Sequence, residues 1–173
     1  MREITLHNTE DKSWWVKEYG PDFEARYCKY LERNCGVSAC LNPEKDRDPY
    51  VVDLLVDGKL ADLKAQRTPF MTAGRYGYNP SSTVTFNDKD YYRYKEQYPQ
   101  IDIYWWVEWV KPKGWDYIEI KPTRGAWVIP FVEVAKMIES GAPKHEYKRR
   151  INDTMGNGKS SYLLSLAKFQ RIA

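Results

Sequence analysis

The most regular hydrophobic alternation in the chain falls in two short runs on either side of Asp57-Gly58. Residues 50–56 and 59–66 both read as strands. Asp-Gly between such runs suits a type I′ turn, which needs positive φ at both central positions. Pairing the runs across that turn sets Val56 opposite Lys59, Leu55 opposite Leu60, Leu54 opposite Ala61 and Asp53 opposite Asp62. Side chains alternate between faces, so Val52, Leu54, Val56, Ala61, Leu63 and Ala65 form a wholly apolar face that must meet the core. The other face carries Asp53, Asp62, Lys64 and Gln66, with Val51, Leu55 and Leu60.

The same periodicities organise the rest of the chain. Pro21 and Asp22 open a helix in which Phe23, Tyr27, Tyr30, Leu31 and Asn34 follow helical spacing and Gly36 is the stop. Residues 41–49 read as loop. After the hairpin, Pro69, Gly74, Gly77 and Pro80 mark residues 67–81 as irregular, and 82–86 form a short β-branched strand. Asn87 is an expected N-cap, with Asp88 and Asp90 in the first helical turn and the helix ending before Pro99. The apolar and aromatic run 101–110 reads as a buried strand. Residues 111–114 turn it into a second strand at 115–121, residues 126–140 read as a helix, and 162–169 form a last apolar stretch. No repeat or linker interrupts this, so one α+β domain over residues 1–173 is expected.

The chemistry lies on the polar face of the hairpin. Carboxylates directly opposite on neighbouring strands sit about 5 Å apart, and like charges there destabilise the pair. Both stay ionised at neutral pH only with a cation between them. A hard divalent ion answers that need, since magnesium often takes one or two carboxylates plus waters and phosphate oxygens. Lys64, two residues beyond Asp62, places an ammonium on the same face.

Asp53, the hairpin and then Asp62-Leu63-Lys64 resemble the PD-(D/E)xK nuclease superfamily. The resemblance covers roughly residues 21–110, leaving 111–173 as a C-terminal elaboration. It implies a restriction-endonuclease-like core: a central mixed β-sheet flanked by helices in αβββαβ order, with the three strands beginning near Tyr50, Lys59 and Ser82. It implies a magnesium-dependent endonuclease that hydrolyses DNA phosphodiesters, with manganese able to substitute. Asp53, Asp62 and Lys64 would be catalytic, and Asp53, Asp62 and Glu24 would hold the metal. Glu24 is the match for the acidic residue often supplied by the first helix, with Glu32 its rival, and Gln66 matches the polar residue often found past the lysine. The chain departs from the pattern in one place: Val52 stands where the superfamily's proline precedes the aspartate.

Charge and composition refine this picture. Net charge is only +3, which permits nucleic-acid binding without arguing for it. Its distribution is more telling: residues 141–173 carry seven basic residues against two acidic ones. Lys148, Arg149, Arg150 and Lys159 in that end, with Arg67 and Arg75 after the hairpin, are the expected contacts to double-stranded DNA. Whether RNA is also cut and whether the chain works as a homodimer stay open. Cys28, Cys35 and Cys40 fit no disulfide framework and read as free thiols in a reducing cytoplasm. No apolar run approaches membrane-spanning length, and the N-terminal residues lack the apolar core of a signal peptide.

Other readings carry less weight. Glu119-Ile120-Lys121 is a second acid-x-lysine triplet, but no short hairpin sets an aspartate opposite Glu119. The Gly156–Ser160 segment has a lysine and serine like a phosphate loop, but Asp153 stands at the position of the first glycine and no buried strand precedes it. Paired carboxylates with many Trp and Tyr also suit a carbohydrate-active domain, although Lys64 has no role there. A noncatalytic nucleic-acid-binding protein on the same fold is the remaining alternative.

The basic end yields a direct test. Replacing Arg149 and Arg150 with alanine should weaken DNA binding for every sequence and flatten the plot of log affinity against log salt, because fewer counterions are released. An unchanged slope would move the binding surface elsewhere, most simply to the Arg67–Arg75 loop.

Overall fold

The computed structural model of the chain describes residues 22–111, 113–147 and 160–173. Among them the order of regular elements is α1 (Phe23–Cys35), β1 (Ala39–Leu41), β2 (Leu54–Val56), β3 (Lys59–Gln66), β4 (Thr83–Asn87), α2 (Asp88–Gln97), β5 (Asp102–Glu108), β6 (Arg124–Pro130), α3 (Phe131–Glu139), β7 (Lys144–His145), β8 (Ser161–Ser165) and β9 (Gln170–Arg171). The fold is α+β. A six-stranded mixed sheet runs β1-β2-β3-β5-β6-β9, and a three-stranded sheet runs β4-β8-β7.

The hairpin forms as its turn chemistry requires. Asp57 has φ 48° and Gly58 φ 74°, and Leu54, Leu55 and Val56 pair with Ala61, Leu60 and Lys59. β3 then continues alone and pairs in parallel with β5, from Ala61 opposite Asp102 to Gln66 opposite Val107. A parallel neighbour needs a crossover connection, and residues 67–101, including α2, provide it.

Both faces of the large sheet are covered, and the alternation along β5 and β6 shows which residue goes where. Tyr104 and Ala126 join Leu54, Val56, Ala61 and Leu63 beneath Tyr27, Cys28 and Leu31 of α1. Ile103, Trp105, Val107, Trp127 and Ile129 face the other way, packing with Val84 and Phe86 of β4, Tyr91 and Tyr94 of α2, and Phe131, Val134 and Ile138 of α3. The apolar face of the hairpin is therefore core, as its pattern predicts, but its polar face is also roofed.

Several sequence expectations are corrected. The ladder of β2 begins only at Leu54, with Asp53 in a bend before it, so Asp53 and Asp62 are not partners in the ladder. Val52 consequently belongs to the core on the opposite face from Leu54. The strand beside β2 is β1, unassigned from the sequence apart from Leu41 in the expected loop, and residues 43–46 of that expected loop form a 3-10 turn. The strand near Ser82 does form, but as β4 it pairs antiparallel with β8 in the second sheet. Residues 115–121 contain no strand. Instead β5 is paired by β6, which takes in residues 126–130 of the expected helix over 126–140. Pairing with the buried Trp105 strand overrides local helical preference there, and the helix starts only after Pro130, which occupies its N-cap.

Trp105 is fully buried at the centre of the larger core. Trp105→Ala should lower unfolding free energy by about 3–5 kcal/mol in urea titrations, whereas Tyr92→Ala, 59% exposed on α2, should change it by about 0.5 kcal/mol or less. Equal effects would contradict this placement of the core.

Candidate active site

The side chains alternate along β3, so Asp62, Lys64 and Gln66 point away from α1 and towards β4 and α2. They are not a solvated sheet face: Asp62 is 2% exposed. Lys64 Nζ lies 2.7 Å from Asp62 Oδ2 and 2.7 Å from Asp90 Oδ2, and donates to Tyr94 Oη at 3.2 Å. The Phe86 and Tyr94 rings lie 5.7 and 5.3 Å from the ammonium, close enough for cation–π attraction. Arg93 braces the group from the same helix, donating to Asp90 Oδ1 and Tyr94 Oη, each at 3.0 Å.

The two aspartates beside Lys64 differ. Burial raises the Asp90 pKa, but Lys64 and Arg93 outweigh it and hold the carboxyl below its ordinary value. Asp62 is pushed up to about 6, first by burial and then by the charges of Asp53 and Asp90, with Lys64 only partly compensating. Its contact with Lys64 is short but outside hydrogen-bond alignment, so Asp62 Oδ2 is buried with no aligned donor. Burial also works against the Lys64 charge, yet Asp62 and Asp90 keep its pKa well above the usual lysine value. The lysine therefore stays protonated.

A second cluster adjoins the first. Asp53 Oδ2 accepts from the Leu63 amide at 3.3 Å, which ties the bend to β3. Its Oδ1 lies 2.6 Å from Lys45 Nζ, and the same ammonium lies 2.7 and 2.8 Å from the two oxygens of Glu24 on α1. Asn42 sets both partners. Its backbone N–H donates to Asp53 O at 2.9 Å, its side-chain amide donates to Val52 O at 2.8 Å, and its Oδ1 caps the turn carrying Lys45 by accepting from Glu44 N at 3.1 Å.

Of the residues singled out in the sequence, Asp62 and Lys64 are in contact, Asp53 lies near enough to act on Asp62, and Glu24 meets Asp53 only through Lys45. Gln66 is engaged elsewhere: it donates to Thr85 Oγ1 at 2.7 Å and accepts from Thr85 N at 3.1 Å, clamping the large sheet to β4. Arg67 lines a cleft of 340 Å³ with Phe23, Arg26, Ala65, Trp106, Glu108 and Arg124. Arg75 lies exposed on a 3-10 turn beside His145, whose pKa burial and Arg75 lower. Glu119 is exposed and outside any strand. Lys148, Arg149, Arg150 and Lys159 lie outside the described residues.

Sequence reasoning missed Lys45, Asp90, Arg93 and Tyr94. Asp90, Arg93 and Tyr94 share one helix face at i, i+3 and i+4, which was readable once the helix was assigned. No local signal marks Lys45, whose partners lie 21 and 8 residues away.

The side chains here offer carboxylate oxygens, the donors that a hard divalent ion takes. Glu24 and Asp53 already converge on one cationic point, and Asp62 holds a buried oxygen with no aligned donor. Among the described residues, no group of three or more His, Cys, Asp or Glu side chains is placed to hold a metal ion; magnesium can use one or two carboxylates and complete its shell with water and phosphate. No family model, curated protein or solved structure matches the chain. No helix among the described residues is long and apolar enough to cross a membrane.

The opposite shifts of the two aspartates have opposite consequences for stability. Asp62 binds its proton more tightly folded than unfolded, so its contribution declines as pH rises from about 4 through about 6. Asp90 does the reverse, and its contribution is lost as pH falls below the ordinary aspartate range. Chemical denaturation should find Asp62→Asn at least as stable as the parent near pH 8, with that advantage gone near pH 4. Asp90→Asn should cost about 3 kcal/mol at neutral pH and less on acidification. A larger loss for Asp62→Asn at high pH than at low pH would refute the assignment.

Proposed function

We propose that this chain is a metal-dependent nuclease that hydrolyses DNA phosphodiesters on a restriction-endonuclease-like core. The observation that carries the reading is the Lys64 ammonium, held charged on the same strand face as the buried Asp62, with the Asp53 carboxylate near enough to act on both and Glu24 linked to Asp53 through Lys45. The element order supports it as well. A helix, three antiparallel strands, a helix and a strand parallel to the third are α1, β1, β2, β3, α2 and β5, with β4 an insertion into the second sheet. With β4 set aside this order is compatible with an αβββαβ core, whose three strands would then be β1, β2 and β3 rather than those expected at Tyr50, Lys59 and Ser82.

Asp53, Asp62 and Glu24 would hold magnesium or manganese. Such an ion supplies Lewis acidity to the scissile phosphate and lowers the pKa of a bound water. The protein's own groups do the rest. Lys64 keeps its proton, so it acts as a fixed cation beside the phosphate, orienting the attacking water and offsetting negative charge in the transition state. Asp90, Arg93 and Tyr94 position that ammonium.

Plasmid nicking tests this. The parent should cut in magnesium and not in EDTA, and Lys64→Ala should lose at least about 100-fold in rate. Manganese binding by calorimetry should disappear in Asp62→Asn. If Lys64→Ala cuts like the parent, or cutting survives EDTA, the reading is wrong.

A further inference from the structure

Lys45 has no counterpart in the Asp53, Asp62 and Lys64 motif, yet it makes the closest ionic contacts in the second cluster. Its ammonium lies within 2.6–2.8 Å of three carboxylate oxygens, both from Glu24 and one from Asp53. This is not a chance pairing of mobile side chains. Asn42, 4% exposed, holds the Asp53 backbone with one group and caps the Lys45 turn with another. The turn and the bend are thereby fixed relative to each other.

We propose that Lys45 is a built-in counter-ion of the metal site, which a divalent ion must displace from Glu24 and Asp53 in order to bind. This rests on the reading of those two residues as ligands. An ammonium and a divalent ion on the same carboxylate oxygens would sit a few Å apart, and their repulsion favours one cation or the other there. Ion binding is therefore an exchange: the ammonium leaves still protonated and the divalent ion takes its oxygens. The exit is short, since the turn at Pro43–Asp46 contains no buried residue and a lysine head on a flexible stem reaches water easily. In the ion-free protein the same contact spares Glu24 and Asp53 the cost of unpaired, partly buried charge.

The exchange predicts that removing the ammonium strengthens metal binding. Only the fraction of molecules with Lys45 swung away accepts the ion, so apparent affinity is reduced by that fraction. Calorimetric manganese titrations of the full chain should show Lys45→Met binding about tenfold or more tightly than the parent, while Lys45→Arg, which keeps a cation there, should stay close to the parent. If Lys45→Met is too unstable to titrate, the parent decides the question by nitrogen-15 NMR of its lysine ammonium groups. Added magnesium should shift the Lys45 signal to the position of a solvated lysine. Parent protein that binds manganese while Lys45→Met binds equally or more weakly would overturn this inference and leave the metal site intact. So would an unmoved Lys45 signal at saturating magnesium. Absence of manganese binding from both proteins would remove the metal reading and the counter-ion with it.

Discussion

A protonated amine deep among aromatic rings is stable only where carboxylates surround it, and Lys64 meets that condition by drawing on distant parts of the chain. Asp62 is its neighbour on β3, while Asp90 and Tyr94 come from α2 across the connection that lets β5 lie parallel to β3. Burying a charge without such partners costs several kcal/mol or more. The ion pair therefore fixes how α2 sits on the sheet, and with it the roof over the polar face of the hairpin. The same low-polarity surroundings raise the Asp62 pKa and keep the Lys64 proton in place.

Charge on the two sides of this site is balanced in matching ways. One lysine sits between Asp62 and Asp90, and another between Glu24 and Asp53. The match is incomplete at Asp62, where Oδ2 has a charge beside it and no aligned donor.

The irregular backbone between β1 and β2 matters as much as the strands. Were β2 to continue through Asp53 in regular register, that carboxylate would be a ladder residue opposite Asp62. The chain instead bends at Asp53, Asn42 satisfies the freed carbonyls of Val52 and Asp53, and the Asp53 carboxylate turns to the Leu63 amide and Lys45. Val52 is thereby delivered to the larger core. One buried asparagine thus converts a break in a strand into a placed carboxylate and a placed ammonium.

What the sequence alone determined is local. The Asp57-Gly58 turn, the register of Leu54–Val56 against Lys59–Ala61, α1 with its stop at Gly36, α2, and the buried strand β5 all follow from backbone conformation and side-chain period, which act within a few residues. The proximity of Asp62 and Lys64 was legible for the same reason, since they lie two residues apart on one strand face. Tertiary structure decided whatever depends on a partner far along the chain. β6 became a strand because Trp105 and its neighbours offered an edge to pair with, and β4 left the main sheet because β8 was there to receive it. Lys45, Asp90 and Arg93 entered the site only through contacts between separate elements. Electrostatic pairing depends on distance in space, and a sequence gives that distance only along the chain.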